Sequence, residues 1–282
     1  MFLCIGAAKA GTSWLHRQLA SHPECHFRSL KELHYFNAID TGHLNRELDK
    51  HRHVHAQMLA RLAEGRRISD DMAARMTDRA QWLDVLESKT EDQDAYLRYL
   101  NAGAGDAKVV GELTPAYALL SEDRLRNMSQ MAPDVRFLFL MRDPVERLWS
   151  HIRMMAGRRD PDGIVTARRC NNIFNRVLSG EEDQIVRRSD YAATLTKITR
   201  AIPGKKLLIE VFENMTAGDG YKGLCSFLGV KAMPIDPTTV HAGQALAMSD
   251  EQRYAAEKWL QPQYEAAAEV LGRMPSAWTW KG

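Results

Sequence analysis

Four short apolar runs, at residues 2–5, 108–110, 135–141 and 206–211, stand out from an otherwise mixed chain. They are too short for helices and lack the alternation of a half-exposed strand, so they read as strands buried on both faces. Helical periodicity adjoins each of them, beginning with residues 12–20 just after the first. Strands that alternate with helices predict an α/β fold with a parallel sheet flanked by helices. Pro144, just past the third run, suits the first turn of a helix, where its missing N–H costs nothing.

Residues 44–100 break this rhythm. Their pattern is helical and rich in charge, and they separate the first predicted strand from the second by far more than a crossover needs. They read as a helical insertion, or lid, after the first βα unit of a single domain spanning residues 1–282. Farther on, Arg158-Arg-Asp-Pro-Asp-Gly163 reads as a turn. Ser189 is a candidate N-cap for a helix to Ala201, which Pro203-Gly204 would end. Met248-Ser249-Asp250 begins a long helix that closes near Gly272. There is no internal repeat and no low-complexity tract.

Composition changes this picture little. With 45% apolar and 26% charged residues in 282, the chain can bury a sizeable core. A net charge of +2 calls for neither nucleic acid nor an anionic membrane as partner. The arginine pairs at 66–67, 158–159, 168–169 and 187–188 read as solvated surface. Cys4, Cys25, Cys170 and Cys225 have neither zinc-site nor disulfide-framework spacing. The first apolar run stops at Gly6, too short for a signal sequence or a membrane span, so a cytoplasmic protein is expected. Asn127-Met-Ser129 and Asn214-Met-Thr216 are then chance matches to the glycosylation pattern.

Candidate chemistry begins where the first run ends, in Gly6-Ala-Ala-Lys9-Ala-Gly11-Thr12-Ser13-Trp14. A strand, a glycine-bearing turn and a helix start bring free N–H groups and the helix dipole together on an anion. The spacing Gly6-x4-Gly11 is that of a nucleotide-binding P-loop. An ATPase, however, places lysine directly after the second glycine; here that position is Thr12 and the lysine is Lys9. A second constellation is Arg142-Asp-Pro-Val-Glu-Arg147-Leu-Trp-Ser150-His151. Arg142 ends the strongest strand and Ser150 lies about two turns into the next helix, so the two are candidates to grip one phosphate. A third is Lys31-Glu32-Leu33-His34, where an extended backbone would point Glu32 and His34 to one side as a base and its supporting group. A fourth, Gly111-Glu112-Leu113-Thr114-Pro115-Ala116-Tyr117, follows the second predicted strand at the expected ligand cleft.

In these four motifs, in this order over residues 3–151, the chain resembles sulfotransferases that use 3′-phosphoadenosine 5′-phosphosulfate (PAPS). Among them it is similar to the heparan-sulfate sulfotransferases and their bacterial relatives. The resemblance implies a P-loop-like sheet and in-line transfer of SO3 from PAPS to an acceptor hydroxyl or amine, leaving 3′-phosphoadenosine 5′-phosphate (PAP). It implies that Lys9, Ala10, Gly11, Thr12, Ser13 and Trp14 form the 5′-phosphosulfate loop, with Lys9 stabilising the leaving group. It implies Glu32 as general base, His34 as its support, and Arg142 with Ser150 on the 3′-phosphate, with no metal required.

Three departures bear on the acceptor and on closure of the site. Leu113 stands where glycosaminoglycan-modifying relatives commonly have lysine. The glycine- and lysine-rich loop that covers the nucleotide in several relatives has its nearest counterpart at His241-Ala-Gly243-Gln244. The Golgi members' membrane anchor has no match. The acceptor, a small molecule or a glycan, and the oligomeric state stay open. Of the remaining signals, His51-Arg-His53-Val-His55 places His51 and His55 on one helix face but lacks an acidic partner, and reads as polar insertion. Trp14, Trp149, Trp259, Trp278 and Tyr191 read as core or cleft wall. Two other readings stand beside this one. An atypical P-loop kinase would use Phe-Leu-Met-Arg-Asp143 as its metal-binding strand end, and a non-catalytic protein would only bind a nucleotide.

Overall fold

The computed structural model describes residues 1–65, 67–236, 246–278 and 280. Its centre is a parallel sheet of five strands: β1 (Phe2–Gly6), β2 (Cys25–Phe27), β3 (Val109–Leu113), β4 (Arg136–Met141) and β5 (Leu207–Val211). Their spatial order is β2-β3-β1-β4-β5. The chain moves from β1 to one side of the sheet and returns to the other with β4, so a crevice opens at the carboxyl end of β1.

Both sheet faces are covered, which explains the unbroken apolar runs. Leu3, Ile5, Phe137 and Phe139 belong to one core; Phe2, Cys4, Leu138 and Leu140 belong to the other. On the second face lie α1 (Thr12–Ala20) and, later in the chain, a helix at Asp219–Leu228, which contributes Tyr221, Leu224 and Cys225. All four expected strands occur, but a fifth intervenes. β2 has three half-buried residues, Cys-His-Phe, and no apolar run to announce it; it forms the sheet edge beside β3. The helical insertion therefore lies between β2 and β3 rather than directly after α1.

That insertion comprises α2 (Tyr35–Asp40), α3 (Leu44–Ala63), α4 (Asp70–Leu86) and α5 (Gln93–Asn101). After β3 come α6 (Glu122–Met128), β4 and α7 (Pro144–Arg158), with Pro144 in the first turn of α7 as expected. Next are α8 (Ala167–Leu178), α9 (Asp183–Ser189) and α10 (Tyr191–Ala201). Ser189 ends α9 instead of capping α10; Asp190 is the cap, accepting from the Ala193 N–H at 2.9 Å. Beyond β5 are α11 (Phe212–Ala217), α12 (the Asp219–Leu228 helix) and α13 (Asp250–Leu271). α13 opens on a Ser249 capping box and closes at Gly272, as its sequence signals require. Among the described residues, no helix is long and apolar enough to cross a membrane.

Of the α3 histidines, His51 is held in the packing of the insertion. His51 is buried, and its Nδ1 accepts from Arg79 at 2.7 Å; His53 lies 2.9 Å from Gln57. A guanidinium at this distance repels a metal ion. Burial first, then Arg79, pushes the His51 imidazole down to about 4. The unfolded chain takes up this proton near pH 6.5 and the native chain only near 4. The stability contribution of neutral His51 is therefore complete above pH 6.5 and lost as pH falls from 6.5 towards 4. His51→Gln is expected to flatten that stretch of the stability curve, measured by urea unfolding at each pH. An unchanged slope would reject this account.

Candidate functional site

The turn after β1 is shaped for an anion. Ala7 N–H is held by the Leu140 carbonyl at 2.7 Å. Lys9 (φ 72°) and Gly11 (φ 86°) then take left-handed conformations. A β-carbon on Gly11 would come within 2.1 Å of the Phe212 ring, so only glycine fits. No side chain caps α1 at Gly11, which leaves the first-turn N–H groups for a ligand. Ser13 is half-buried at this turn. Thr12 is buried, and Trp14 packs edge-on against Phe212 and Tyr221, its indole N–H donating to the Asp236 carbonyl at 3.0 Å.

Lys31 joins this loop to the carboxylate. Its Nζ donates to Ser13 Oγ at 2.6 Å and lies 3.2 Å from Glu32 Oε1. Glu32 Oε2 is 3.6 Å from His34 Nε2. The expected pairing of Glu32 with His34 is present, but not through an extended backbone: Glu32 has φ 59° and His34 φ 55°. Four non-glycine residues have positive φ among those described, and three of them are Lys9, Glu32 and His34. Each costs about 1–2 kcal/mol of backbone strain, and such residues gather where function requires a fixed geometry.

Packing holds the Glu32–His34 turn in place. Glu32 N–H donates to the Leu113 carbonyl at 3.2 Å. Beneath it the buried Glu112 accepts from Tyr96 at 2.5 Å, Thr114 at 2.7 Å and Tyr117 at 2.8 Å. The Tyr96 ring stacks on Tyr35, and Phe36 packs edge-on against Tyr96 and Tyr117. Burial pushes the Glu112 carboxyl up, and the three hydroxyl donors counter it. Leu113 is fully buried in the sheet core, so this position offers a ligand no side chain.

Arg142 follows β4, and its peptide is gripped on both sides by Tyr191: the hydroxyl accepts from Arg142 N–H at 3.2 Å and donates to its carbonyl at 3.0 Å. The guanidinium reaches Glu146 at 3.8 Å. Ser150 lies farther along α7, half-buried, and no hydrogen bond joins it to Arg142 among the described residues. Asp143 caps α7 through Glu146 N–H at 3.0 Å and accepts from Tyr264 at 3.1 Å. Its carboxylate is thus committed to structure, unlike that of a kinase strand end.

Positive charge dominates around the loop. Burial first, then Arg158, Lys31 and Arg142, lower the Lys9 ammonium, against the pull of Glu32. Burial, Arg147, Arg188, Lys9 and Arg158 drive His151 down to about 2. Glu32 is the acidic group common to the fields at Lys9 and Arg188. This imbalance, beside open helix-end N–H groups, fits a ligand with several phosphate or sulfate charges. Among the described residues, no group of three His, Cys, Asp or Glu side chains is arranged to hold a metal.

Several contributors escaped sequence reasoning. Lys31 belongs to a recognised motif, yet its bridge to Ser13 depends on the αL turn. Arg158 and Arg188 look like solvated surface pairs in the sequence; Arg158 is indeed exposed at the end of α7, yet its charge is felt at Lys9, and that of the half-buried Arg188 on α9 is coupled to Glu32. Tyr191 read as packing and also clamps Arg142. His241, Gly243 and Gln244 lie outside the described residues.

A family model described as "Sulfotransferase family" matches residues 2–216. The chain is similar in structure to a sulfotransferase from Alicyclobacillus acidocaldarius, with a TM-score of 0.63 and 20% identity over 98% of this chain and 97% of that one. A second similar structure is the sulfotransferase domain of the Synechococcus PCC 7002 olefin synthase. It has a TM-score of 0.47 and 15% identity, covering 92% of this chain and 94% of that domain. No curated protein matches.

Proposed function

The chain belongs to the sulfotransferase family, and from that premise we propose that it transfers a sulfuryl group from PAPS to an acceptor hydroxyl or amine. The observation that carries this reading is the Lys31 bridge, 2.6 Å from Ser13 and 3.2 Å from Glu32, which sets a carboxylate base beside an anion-binding loop. In the transfer, the bond from sulfur to the donor's phosphate oxygen breaks as the acceptor forms a new bond to sulfur. The acceptor proton passes to Glu32, supported by His34, and PAP leaves with the electron pair. The Ala10 N–H, expected to face the phosphate, is instead spent on the Ala7 carbonyl at 3.2 Å; Lys9 and the N–H groups from Gly11 to Ser13 hold the growing negative charge on the phosphate oxygen, so positioning and electrostatics supply most of the rate. Arg142 and Ser150 bind the 3′-phosphate, with Tyr191 fixing the peptide that carries Arg142. Trp14 contributes by anchoring the loop to the core. A cytoplasmic location suits this scheme, since the donor is a soluble nucleotide.

Thermal unfolding with PAP, ADP and Mg-ATP tests the donor site. PAP at about one hundred times its Kd adds about 2.7 kcal/mol, a rise of roughly 5–10 °C for a chain of this size. ADP, lacking the 3′-phosphate, is expected to give a smaller rise. Stabilisation by Mg-ATP without stabilisation by PAP would overturn the proposal.

A further inference from the structure

A groove of about 690 Å³ runs from α2 past the start of α6 to α9, a volume in the range of small-molecule sites. Asp40, Asp123, Asp183, Arg124, Arg187 and Arg188 are the charged side chains of its wall. Counted alone, these acids and bases cancel. Their pairing tells more. Arg124 holds Asp40 at 2.5 Å and Glu91 at 2.6 Å. Asp123 is taken by Arg126 at 2.5 Å, and Asp183 lies 3.8 Å from Arg187. Each aspartate of the wall is thus met by a cation other than Arg188.

Arg188 is half-buried, and its Nη1 donates to the Gln184 carbonyl at 3.1 Å, one turn back on α9. Its Nε and Nη2 have no partner among the described residues, and neither atom is sealed in the core. These two nitrogens form one edge of the guanidinium, the fork that takes a carboxylate or phosphate through two parallel hydrogen bonds. Burial, then Arg187, lowers the Arg188 guanidinium, and Glu32 is the largest of the charges that oppose them. A cation that has lost part of its water gains from an anion on its open edge. The backbone beneath is fixed. Arg147, fully buried on α7, donates to Ser189 Oγ, which donates to the Ile185 carbonyl at 2.8 Å.

The fork lies on the acceptor side of the site. A second groove, lined by His34, shares Asn37 and Thr41 with the first, and His34 Nε2 is 3.6 Å from Glu32 Oε2. The donor groups Lys9, Arg142 and Ser150 line neither groove.

Resting on the sulfotransferase reading above, we infer that the acceptor is a small hydroxy or amino compound carrying one acid group, a carboxylate or a phosphate. Arg188 binds that group through Nε and Nη2 while the reacting hydroxyl or amine faces Glu32. One open fork matches one acid group; a polyanion would meet Asp123 and Asp183 along the same wall.

Labelled transfer from PAPS to matched pairs tests this, with PAP-induced thermal stabilisation measured in parallel. The pairs are ω-hydroxyhexanoate, ω-aminohexanoate and para-hydroxyphenylacetate, each against its methyl ester, and glycerol phosphate against glycerol. A carboxylated polysaccharide serves as the polyanion. At least one acid is expected to exceed its neutral partner in kcat/KM by about tenfold or more, the worth of a charged hydrogen bond. The carboxylate and phosphate pairs tell the two acid groups apart. Arg188→Gln is expected to raise KM for that acid about tenfold or more and to abolish its advantage over the neutral partner. Arg188→Lys, which keeps the charge without the fork, is expected to restore part of that advantage; misfolding of one variant would not imitate this pattern. Equal or better transfer to every neutral partner, preference for the polysaccharide, or PAP stabilisation without label on any acid overturns the acceptor class. Weakened PAP stabilisation in Arg188→Gln moves Arg188 to the donor and overturns its role. These results leave the sulfotransferase reading standing. Absence of PAP stabilisation in the unaltered protein overturns both.

Discussion

Lys9→Ala is expected to slow sulfuryl transfer by about 10²–10³-fold, the usual loss when one preorganised group facing a developing negative charge is removed. The ammonium sits in a strained left-handed turn and is partly desolvated among Arg158, Lys31 and Arg142. The protein bears that desolvated charge before any ligand arrives, and alanine removes it while keeping the strained turn. Thermal stability without ligand is therefore expected to stay level or rise in the variant, while PAP binding weakens. Single-turnover transfer and unliganded melting, measured together, separate this from simple misfolding. A variant that loses activity only in proportion to lost folded protein would remove Lys9 from the chemistry.

Glu32→Gln is expected to reduce turnover by about 10²–10⁴-fold, the range for a positioned general base, with PAP affinity nearly unchanged. Burial pushes the Glu32 carboxyl up, but His34 and Lys31 outweigh it and hold it at about 2. It is thus ionised and ready to accept a proton throughout the neutral range. So weak a base takes the proton late, once the acceptor oxygen has begun to bond to sulfur and has become acidic. The depressed value also contributes to folding: that contribution is present above about pH 4.5 and is lost as pH falls towards 2. With a side chain 43% exposed, solvent screening keeps it small. Wild-type rates in Glu32→Gln, with PAP bound normally, would reject the general-base assignment.

The parts of the fold that were legible in the sequence follow local rules. Residues 2–5 and 135–141 had to be strands because unbroken apolar runs of that length suit a sheet covered on both faces. α1, α7 and α13 were marked by Gly11, Pro144 and Ser249, which suit the turn before a helix, its first turn and its N-cap without distant help. β2 was not legible: its three half-buried residues are a strand only because β3 lies beside them. Ser189 and Asp190 are both good caps by composition, and the bend between α9 and α10 chose Asp190.

For the site, the sequence by itself determined the ingredients: an anion loop with a displaced lysine, a carboxylate near an imidazole, and an arginine after the strongest strand. Spacing along the chain is enough for these, because each motif spans a single turn or strand end. Tertiary structure alone decided how they act together. The αL turns at Glu32 and His34, the Lys31 bridge to Ser13, and the coupling of Arg158 to Lys9 and of Arg188 to Glu32 join groups as far apart in the chain as Glu32 and Arg188. Such contacts depend on which helices pack over the crevice beside β1, and no local pattern of apolar and polar residues encodes that.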